Sequence, residues 1–416
     1  MSHLTAITIS IGDELLAGNT VDSNNAFISQ KLEQLGIPVT RKYIIADDLD
    51  AILETLDQAL KNAAVVTVTG GLGPTHDDIT KVALCKFFND ELILDESILA
   101  NIRKRFESRG IKMSAINRNQ AEYPTKAKLL PNPAGTALGM HFNHEGSDLF
   151  VMPGVPREMV AIMESSVVPI LTRKGATPWY STDVLTNGIP ESTLFDKAHE
   201  LIIDQPDLKV AFLPRHTGVT VRLSVPADHK NAVAYLDGLY RALRERFPKH
   251  VYGRDNSSLA AEVGTLCKRH GLKIATAESC TGGLIASQIT DVAGSSAYYE
   301  TGFVTYANAT KIKTLGVKAS TLESHGAVSE ETVTEMLAGL LATSQADYGI
   351  AVSGIAGPDG GSAEKPVGTV YIGVASHERL VVKRFQFWKD RILNKEVSAA
   401  TALNMLRLML EEDLNE

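Results

Sequence analysis

The sequence predicts an α/β protein of several domains, and three observations carry that expectation. The chain has 416 residues, and at roughly 150 residues per domain this suggests about three. Short apolar runs alternate with helical patterns at both ends of the chain, as in parallel sheets covered by helices. Composition shifts at Lys174–Ser181 (KGATPWYS) and again at a polar stretch, Gly253–Ser258 (GRDNSS). The expected domains are therefore residues 1–173, 174–252 and 257–416. A hydrophobic content of 44% with 22% charged residues lets each of them bury a core and excludes disorder as the main state.

Ala6–Ile11 (AITISI) reads as a buried strand, followed by a Gly–Asp–Glu turn and a helix from Asp22 or Ser23 to Leu35. A strand at Val39–Ile45, a helix at Asp48–Ala63 and a strand at Ala64–Thr69 complete a βαβ pattern. The pattern continues through Asp148–Met159 to a helix ending near Arg173. The middle segment reads as a strand (Thr182–Gly188), a helix (Glu191–Ile203), two strands joined by Pro214–Gly218, and a helix at Lys230–Arg246. That order is a small α+β unit. The last segment opens with a helix, and its strands are expected at Lys273–Ala277, Gly302–Tyr306, Asp347–Ser353 and Gly368–Val374. An amphipathic helix, Lys395–Glu412, closes it.

Forty-one Lys and Arg against 49 Asp and Glu give a net charge of −8, which disfavours direct contact with the nucleic-acid backbone. Three cysteines (Cys85, Cys267 and Cys280) without a CxxC argue against a disulfide framework and for a reducing compartment. The first residues, MSHLTAITIS, lack the pattern of a signal peptide. No apolar run reaches the roughly 18 residues that a membrane span needs. A cytoplasmic location is expected.

Ala275–Gly283 (ATAESCTGG) is the most informative run. A strand enters, the chain turns over Glu278–Ser279–Cys280–Thr281, and Gly282 and Gly283 open a helix. Such a junction exposes a side chain at its tip and aims backbone N–H groups at a ligand. Ser279 is then either a nucleophile or a helix N-cap. In Thr305–Gly316 (TYANATKIKTLG), Asn308 is a natural N-cap and Lys311 falls in the first helical turn, where the helix dipole disfavours a cation. A lysine so placed suits a neutral general base, and Ser with Lys is a known nucleophile–base pair. The bland reading is a solvated surface lysine. Val352–Val370 carries Gly354, Gly357, Gly360, Gly361 and Gly368, which permit close backbone approach to a ligand in a loop long enough to be functional.

These runs, with Gly302–Lys311 and His325–Ser329, resemble the CinA C-terminal family, the nicotinamide mononucleotide deamidases, across about Ser257 to Leu414. The resemblance implies hydrolysis of the substrate carboxamide to nicotinate mononucleotide and ammonia, without a cofactor. It makes Ser279 and Lys311 the catalytic dyad and places Tyr306 beside them. It sets Thr281, Gly282, Gly283, Gly354 and Gly357 at the substrate, and Lys389 and Arg391 are the basic side chains expected to hold its phosphate.

In the first domain, Thr69–Asp78 (TGGLGPTHDD) is neither a P-loop nor a dinucleotide fingerprint. Gly70, Gly71 and Gly73 suit a loop that wraps phosphate, and Asp77 and Asp78 suit a hard cation or, alternatively, a helix cap. Asp13, Glu14 and Asp22 lie near another strand end, where ligands of open α/β sheets gather. About residues 4–170 resemble the molybdopterin-binding family and, more closely, the N-terminal half of CinA proteins, through GDELL, GGLGPTHDD and NPAGTALG. By that resemblance Asp47 and Asp78 fall on positions of the binding site. It implies ADP-ribose pyrophosphatase activity with a divalent cation such as Mg²⁺, Mn²⁺ or Co²⁺. The middle segment resembles the KH-like domain of CinA proteins but has no GxxG, so RNA binding through it is not supported.

The sequence is accordingly read as a bifunctional hydrolase of pyridine nucleotides, its partners nicotinamide mononucleotide and ADP-ribose, and as a homodimer. The rival readings are a molybdopterin-related enzyme or binding protein and a non-catalytic nucleotide sensor tied to DNA uptake.

Overall fold

Three short stretches of the first domain are rich in apolar residues, with Thr, Ser and one Asp among them, and central strands of a parallel sheet are covered on both faces. The computed structural model, which describes residues 4–73, 75, 78–108, 110–203 and 205–415, places them accordingly. Ala6–Ile11, Val65–Thr69 and Ser147–Met152 are buried along their whole length. They sit inside a six-stranded sheet whose spatial order is Val39–Ile45, Ala6–Ile11, Val65–Thr69, Ser147–Met152, Gly139–His144 and Lys128–Leu130. The first four strands are parallel and the last two antiparallel. The antiparallel edge was not expected. It arises from a two-residue hairpin, because Glu145 and Gly146 both take positive φ (49° and 90°) and so form the tight turn that joins neighbouring strands. The helix expected to end near Arg173 does so, but a π turn at Met163–Val167 interrupts it just before Pro169, which has no N–H to give to the preceding turn.

The chain divides into two compact units, Met1–Tyr180 with Val225–Ala232 and Ser181–Ser224 with Val233–Glu416, each described by itself. The middle segment forms a four-stranded sheet in the order Lys209–Arg215, Gly218–Pro226, Trp179–Thr186 and Val251–Arg254. The polar stretch read as a linker therefore begins inside a strand, where Gly253 and Arg254 pair with Leu185 and Val184. Asp255 continues the attachment, since its carboxylate accepts from Thr182 Oγ1 and the Asp183 N–H.

The last five-stranded sheet runs Tyr299–Val304, Ile274–Glu278, Tyr348–Gly354, Thr369–Ser376 and Leu380–Gln386, parallel for three strands and antiparallel for two. The edge strand Leu380–Gln386 was missed because most of its residues are at least partly exposed and its apolar pattern is weak. Its long closing helix, Arg391–Leu414, buries one face against Leu259–His270 and the central strands. Arg407 is wholly buried within that helix. It donates to Asn404 Oδ1, to both Glu411 oxygens and, at 3.2 Å, to the Lys249 carbonyl of the middle segment. With the Arg244–Glu411 ion pair at 3.6 Å, it links the middle segment to the closing helix within one unit.

Asp148 is the buried charge of the first sheet. Its carboxylate receives the Lys174 ammonium at 2.5 and 2.6 Å, with His141 Nε2 at 2.9 Å and Asn143 Nδ2 at 3.3 Å. Burial alone would raise this carboxyl, but the bonds from His141, Lys174 and Asn143 and the Lys174 charge hold it down at about 2. Relative to the ordinary 3.8, this contributes about 2 kcal/mol of stability. The contribution is complete above pH 3.8 and is lost as pH falls through about 2. Asp148→Asn should therefore lower the stability of this unit by about 2 kcal/mol at neutral pH and flatten its acid dependence between pH 4 and pH 2, as read by urea unfolding across that range.

Candidate active site

The buried strand Ile274–Glu278 delivers Ser279 to the carboxyl end of a parallel sheet, and the chain must reverse there to start the helix Leu284–Thr290. Gly282 and Gly283 make that reversal with φ of +64° and +92°, which other residues adopt only at a cost. Ser279 is not the N-cap. The helix start is held by Glu278 instead, whose carboxylate accepts the N–H groups of Gly283, Ile285 and Ala286 at 3.0, 3.1 and 2.8 Å. The helix-terminal donors expected to face a ligand are thereby taken. No backbone carbonyl takes the N–H of Cys280 or Thr281 among the described residues.

Lys311 lies on the helix Asn308–Leu315, in its first turn as expected, although Ala307 rather than Asn308 is the N-cap. Its side chain is 1% exposed, so it is not a solvated surface lysine. Nζ stands 2.9 Å from Ser279 Oγ, 2.7 Å from the Thr305 carbonyl and 3.3 Å from the Tyr306 carbonyl. The two carbonyls can only accept. A neutral amine has two hydrogens for them and keeps its lone pair for the serine hydroxyl. Burial lowers the Lys311 pKa, which favours that neutral form. Its neighbour Cys280 is no competing nucleophile, since burial pushes the thiol up to about 12.

The pair opens on a cavity of ≈ 210 Å³, with Gly354, Ala356, Tyr306 and Arg391 among its lining. Arg391 is fastened there through the Gly357 carbonyl at 2.7 Å and the Tyr306 hydroxyl at 2.8 Å. The Tyr306 phenol thus engages Arg391, and only its backbone carbonyl touches Lys311. Gly354 has no room for a side chain, because a Cβ would meet Val370, Cys280 and the Thr369 carbonyl within 3.0 Å. Thr281 is fully buried with its hydroxyl unpartnered and, like the exposed Lys389, is not in the cavity wall.

Asn394 escaped the sequence reading. Buried in the first turn of the closing helix, it donates to the Ala356 and Trp388 carbonyls and accepts from the Trp388 N–H. It thereby ties the glycine-rich wall of the cavity to the helix that carries Arg391. An asparagine, a poor helix former, early in an apolar helix was the available signal.

The first unit has its own cavity, ≈ 630 Å³, at the carboxyl ends of its parallel strands. Asp13, Glu14, Asp47 and Asp78 all line it. Asp78 is turned into its own loop, accepting from the Gly73 N–H, the Thr75 N–H and the Thr75 hydroxyl at 2.6 to 2.8 Å. It caps no helix, because the next one starts after Ile79 without a side-chain cap. Asp77 lies outside the described residues. Gly70 and Gly71 have positive φ, and a Cβ on them would strike the Ile11 carbonyl at 2.2 Å and Thr80 Oγ1 at 2.1 Å. The Gly70 N–H is bonded to the Met152 carbonyl and the Gly73 N–H to Asp78, so neither is available to a phosphate as expected. The described residues contain no preformed group of three or more His, Cys, Asp or Glu placed to hold a metal ion. None of the described helices is long and apolar enough to cross a membrane.

The fold is that of a multidomain α/β protein with a cavity in each unit, and comparison with known proteins assigns a family to each segment. Residues 7–173 match the family described as "Probable molybdopterin binding domain", 181–253 the "Damage-inducible protein CinA KH domain", and 256–410 the "CinA C-terminal domain". The chain belongs to the CinA family. It is 44% identical over 417 residues to a CinA-like protein of Chloroherpeton thalassium, covering 98% of this chain and 99% of that one. A CinA-like protein of Cytophaga hutchinsonii is 40% identical, with 99% of each chain covered. The crystal structure of competence/damage inducible protein CihA from Agrobacterium tumefaciens matches 37% of this chain and 93% of its own at 44% identity, with a TM-score of 0.36.

Asn394→Ala should remove three hydrogen bonds and strand two buried carbonyls, costing about 2–3 kcal/mol. Thermal unfolding together with limited proteolysis across residues 354–368 reads this out, with cleavage expected to rise in the variant.

Proposed function

We propose that the Ser279–Lys311 site hydrolyses the carboxamide of nicotinamide mononucleotide to nicotinate mononucleotide and ammonia. The observation that carries the reading is a buried lysine amine 2.9 Å from a serine hydroxyl, with the Thr305 and Tyr306 carbonyls at 2.7 and 3.3 Å from the same nitrogen. Lys311 takes the Ser279 proton as Oγ attacks the carboxamide carbon. The Cys280 N–H, in the turn beside the serine, is the nearest backbone donor to the cavity for the oxyanion. Lys311 then returns the proton to the leaving nitrogen, ammonia departs, and a water activated by the same amine opens the acyl-serine ester. Arg391, at the cavity mouth, meets the phosphate.

Ser279→Ala and Lys311→Met should each reduce ammonia release from nicotinamide mononucleotide by about 10³-fold or more, since the two groups act as a unit. Activity should rise with pH through the lowered pKa of Lys311, because the protonated amine has no lone pair, and should level off before the ordinary lysine value of 10.5. Full activity in either variant, or a profile that falls over that range, refutes the mechanism.

A second reading concerns the first unit, where ADP-ribose is the proposed substrate of a diphosphatase. Burial raises the Asp47 carboxyl, and the charges of Asp13, Glu14 and Asp78 raise it further. Carboxylates that repel one another in a shared cavity fit a hard divalent cation. Asp13, Glu14 and Asp47 would have to close on it from their present positions, since they form no ready-made ligand group, while Asp78 shapes the loop. Such an ion, when bound, neutralises diphosphate charge. A chelator should abolish ADP-ribose cleavage and spare ammonia release, with both products assayed in one preparation. Chelator-resistant cleavage discards this reading.

A further inference from the structure

The middle segment contains a cavity that neither proposed reaction uses. It measures ≈ 410 Å³ and lies between the turn Gly188–Pro190 with the start of the helix Glu191–Ile202, and the segment Arg246–His250. Four basic side chains line it, Lys197, Arg246, Lys249 and His250, and no Asp or Glu does. This is unusual on a chain of net charge −8. Lys197 and Lys249 make no ion pair among the described residues, and the carboxylate nearest Arg246, Glu200 at 3.8 Å, is itself 87% exposed. Basic groups gathered around a concavity with only one exposed counter-charge beside them create a field that an anion relieves.

The floor is of the opposite character. Phe247 and Ile189 are 4% and 7% exposed and present apolar surface, flanked by Pro190 and Pro248. The frame is also held in place. The His250 Nδ1–H donates to the Asn187 carbonyl at 3.0 Å, and the Lys249 carbonyl accepts from the buried Arg407. The backbone beneath two of the basic groups is therefore anchored while the Lys249 side chain stays free to reach a ligand.

We propose that this cavity binds a nucleoside monophosphate, the base on the Phe247 floor and the phosphate among Lys197, Arg246, Lys249 and His250. A cationic rim over an apolar floor selects a ligand that is itself part anion and part flat apolar ring. The volume falls at the small end of the ligand-pocket range, about 300–1,000 Å³, which suits a mononucleotide rather than a strand. The cavity shares no lining residue with either of the other two, so it does not depend on either assignment.

The test is calorimetric titration of adenosine monophosphate into the full chain and into Lys197→Glu/Lys249→Glu, both positions being exposed. Binding elsewhere on the chain is common to both proteins, so the difference reads this site alone. One class of binding should weaken by about tenfold or more, as expected on losing charge-assisted phosphate contacts. Adenosine and inorganic phosphate, each lacking half of the ligand, should show a smaller difference between the two chains. Ammonia release from nicotinamide mononucleotide should be unchanged. Equal adenosine monophosphate binding by the two chains overturns the proposal. So does equal weakening in Lys128→Glu/Lys383→Glu, which makes the same charge change at exposed sites elsewhere. Binding of a single-stranded oligoribonucleotide through Lys197 and Lys249 without mononucleotide binding also overturns it.

Discussion

A lysine amine removed from water loses the hydration that favours its charged form, and the last domain is arranged around one such amine. Lys311 is buried against Ser279 Oγ and two backbone carbonyls, with no carboxylate bonded to it. The carbonyls that hold the amine belong to Thr305 and Tyr306, just past the strand Tyr299–Val304. The serine comes from the end of the adjoining strand, Ile274–Glu278. The dyad therefore exists only while these two parallel strands stay in register. The strand pairing and the chemistry depend on the same contacts.

Glu278 shows how the charge next to that amine is kept out of its way. The residue before the nucleophile is a buried carboxylate, which could have paired with Lys311 and kept it protonated. Its oxygens are instead occupied by three N–H groups of the helix that follows, where a negative charge is favoured by the helix dipole. The same bonds hold the left-handed turn at Gly282 and Gly283. One side chain thus caps a helix, shapes the serine turn and leaves the lysine without an acidic partner.

The two ligand sites use carboxylates in opposite ways. In the first unit Asp13, Glu14, Asp47 and Asp78 share one concavity, and their mutual repulsion is an unmet demand for positive charge. At Ser279 the cavity is built from backbone, glycine and a single guanidinium, with no acid in its wall. The two cavities thus differ in the charge that each presents.

Much of this was legible along the chain. Apolar-rich runs such as Ala6–Ile11 and Ile274–Glu278, with helical patterns between them, announce strands of a parallel sheet, while the burial of their Thr, Ser and Glu side chains is decided by packing. Paired glycines after Ser279 announce a left-handed turn, and the TGG and TYANATK runs mark Ser279 and Lys311 as candidates. The partly exposed strand Leu380–Gln386 was not legible, nor was the attachment of Gly253 and Arg254 to a sheet, since edge pairing depends on a distant partner. Sequence offered Ser279 as either cap or nucleophile, and only the fold brought Glu278 to the helix start and freed the serine. It offered helix position, and burial if present, as reasons that would favour a neutral Lys311, and the packed structure supplies the burial. Asn394, Arg407 and the committed oxygens of Asp78 belong to the same class. Residue type and local pattern determine what a segment can form, but which donor meets which acceptor is decided when segments far apart in sequence are packed against one another.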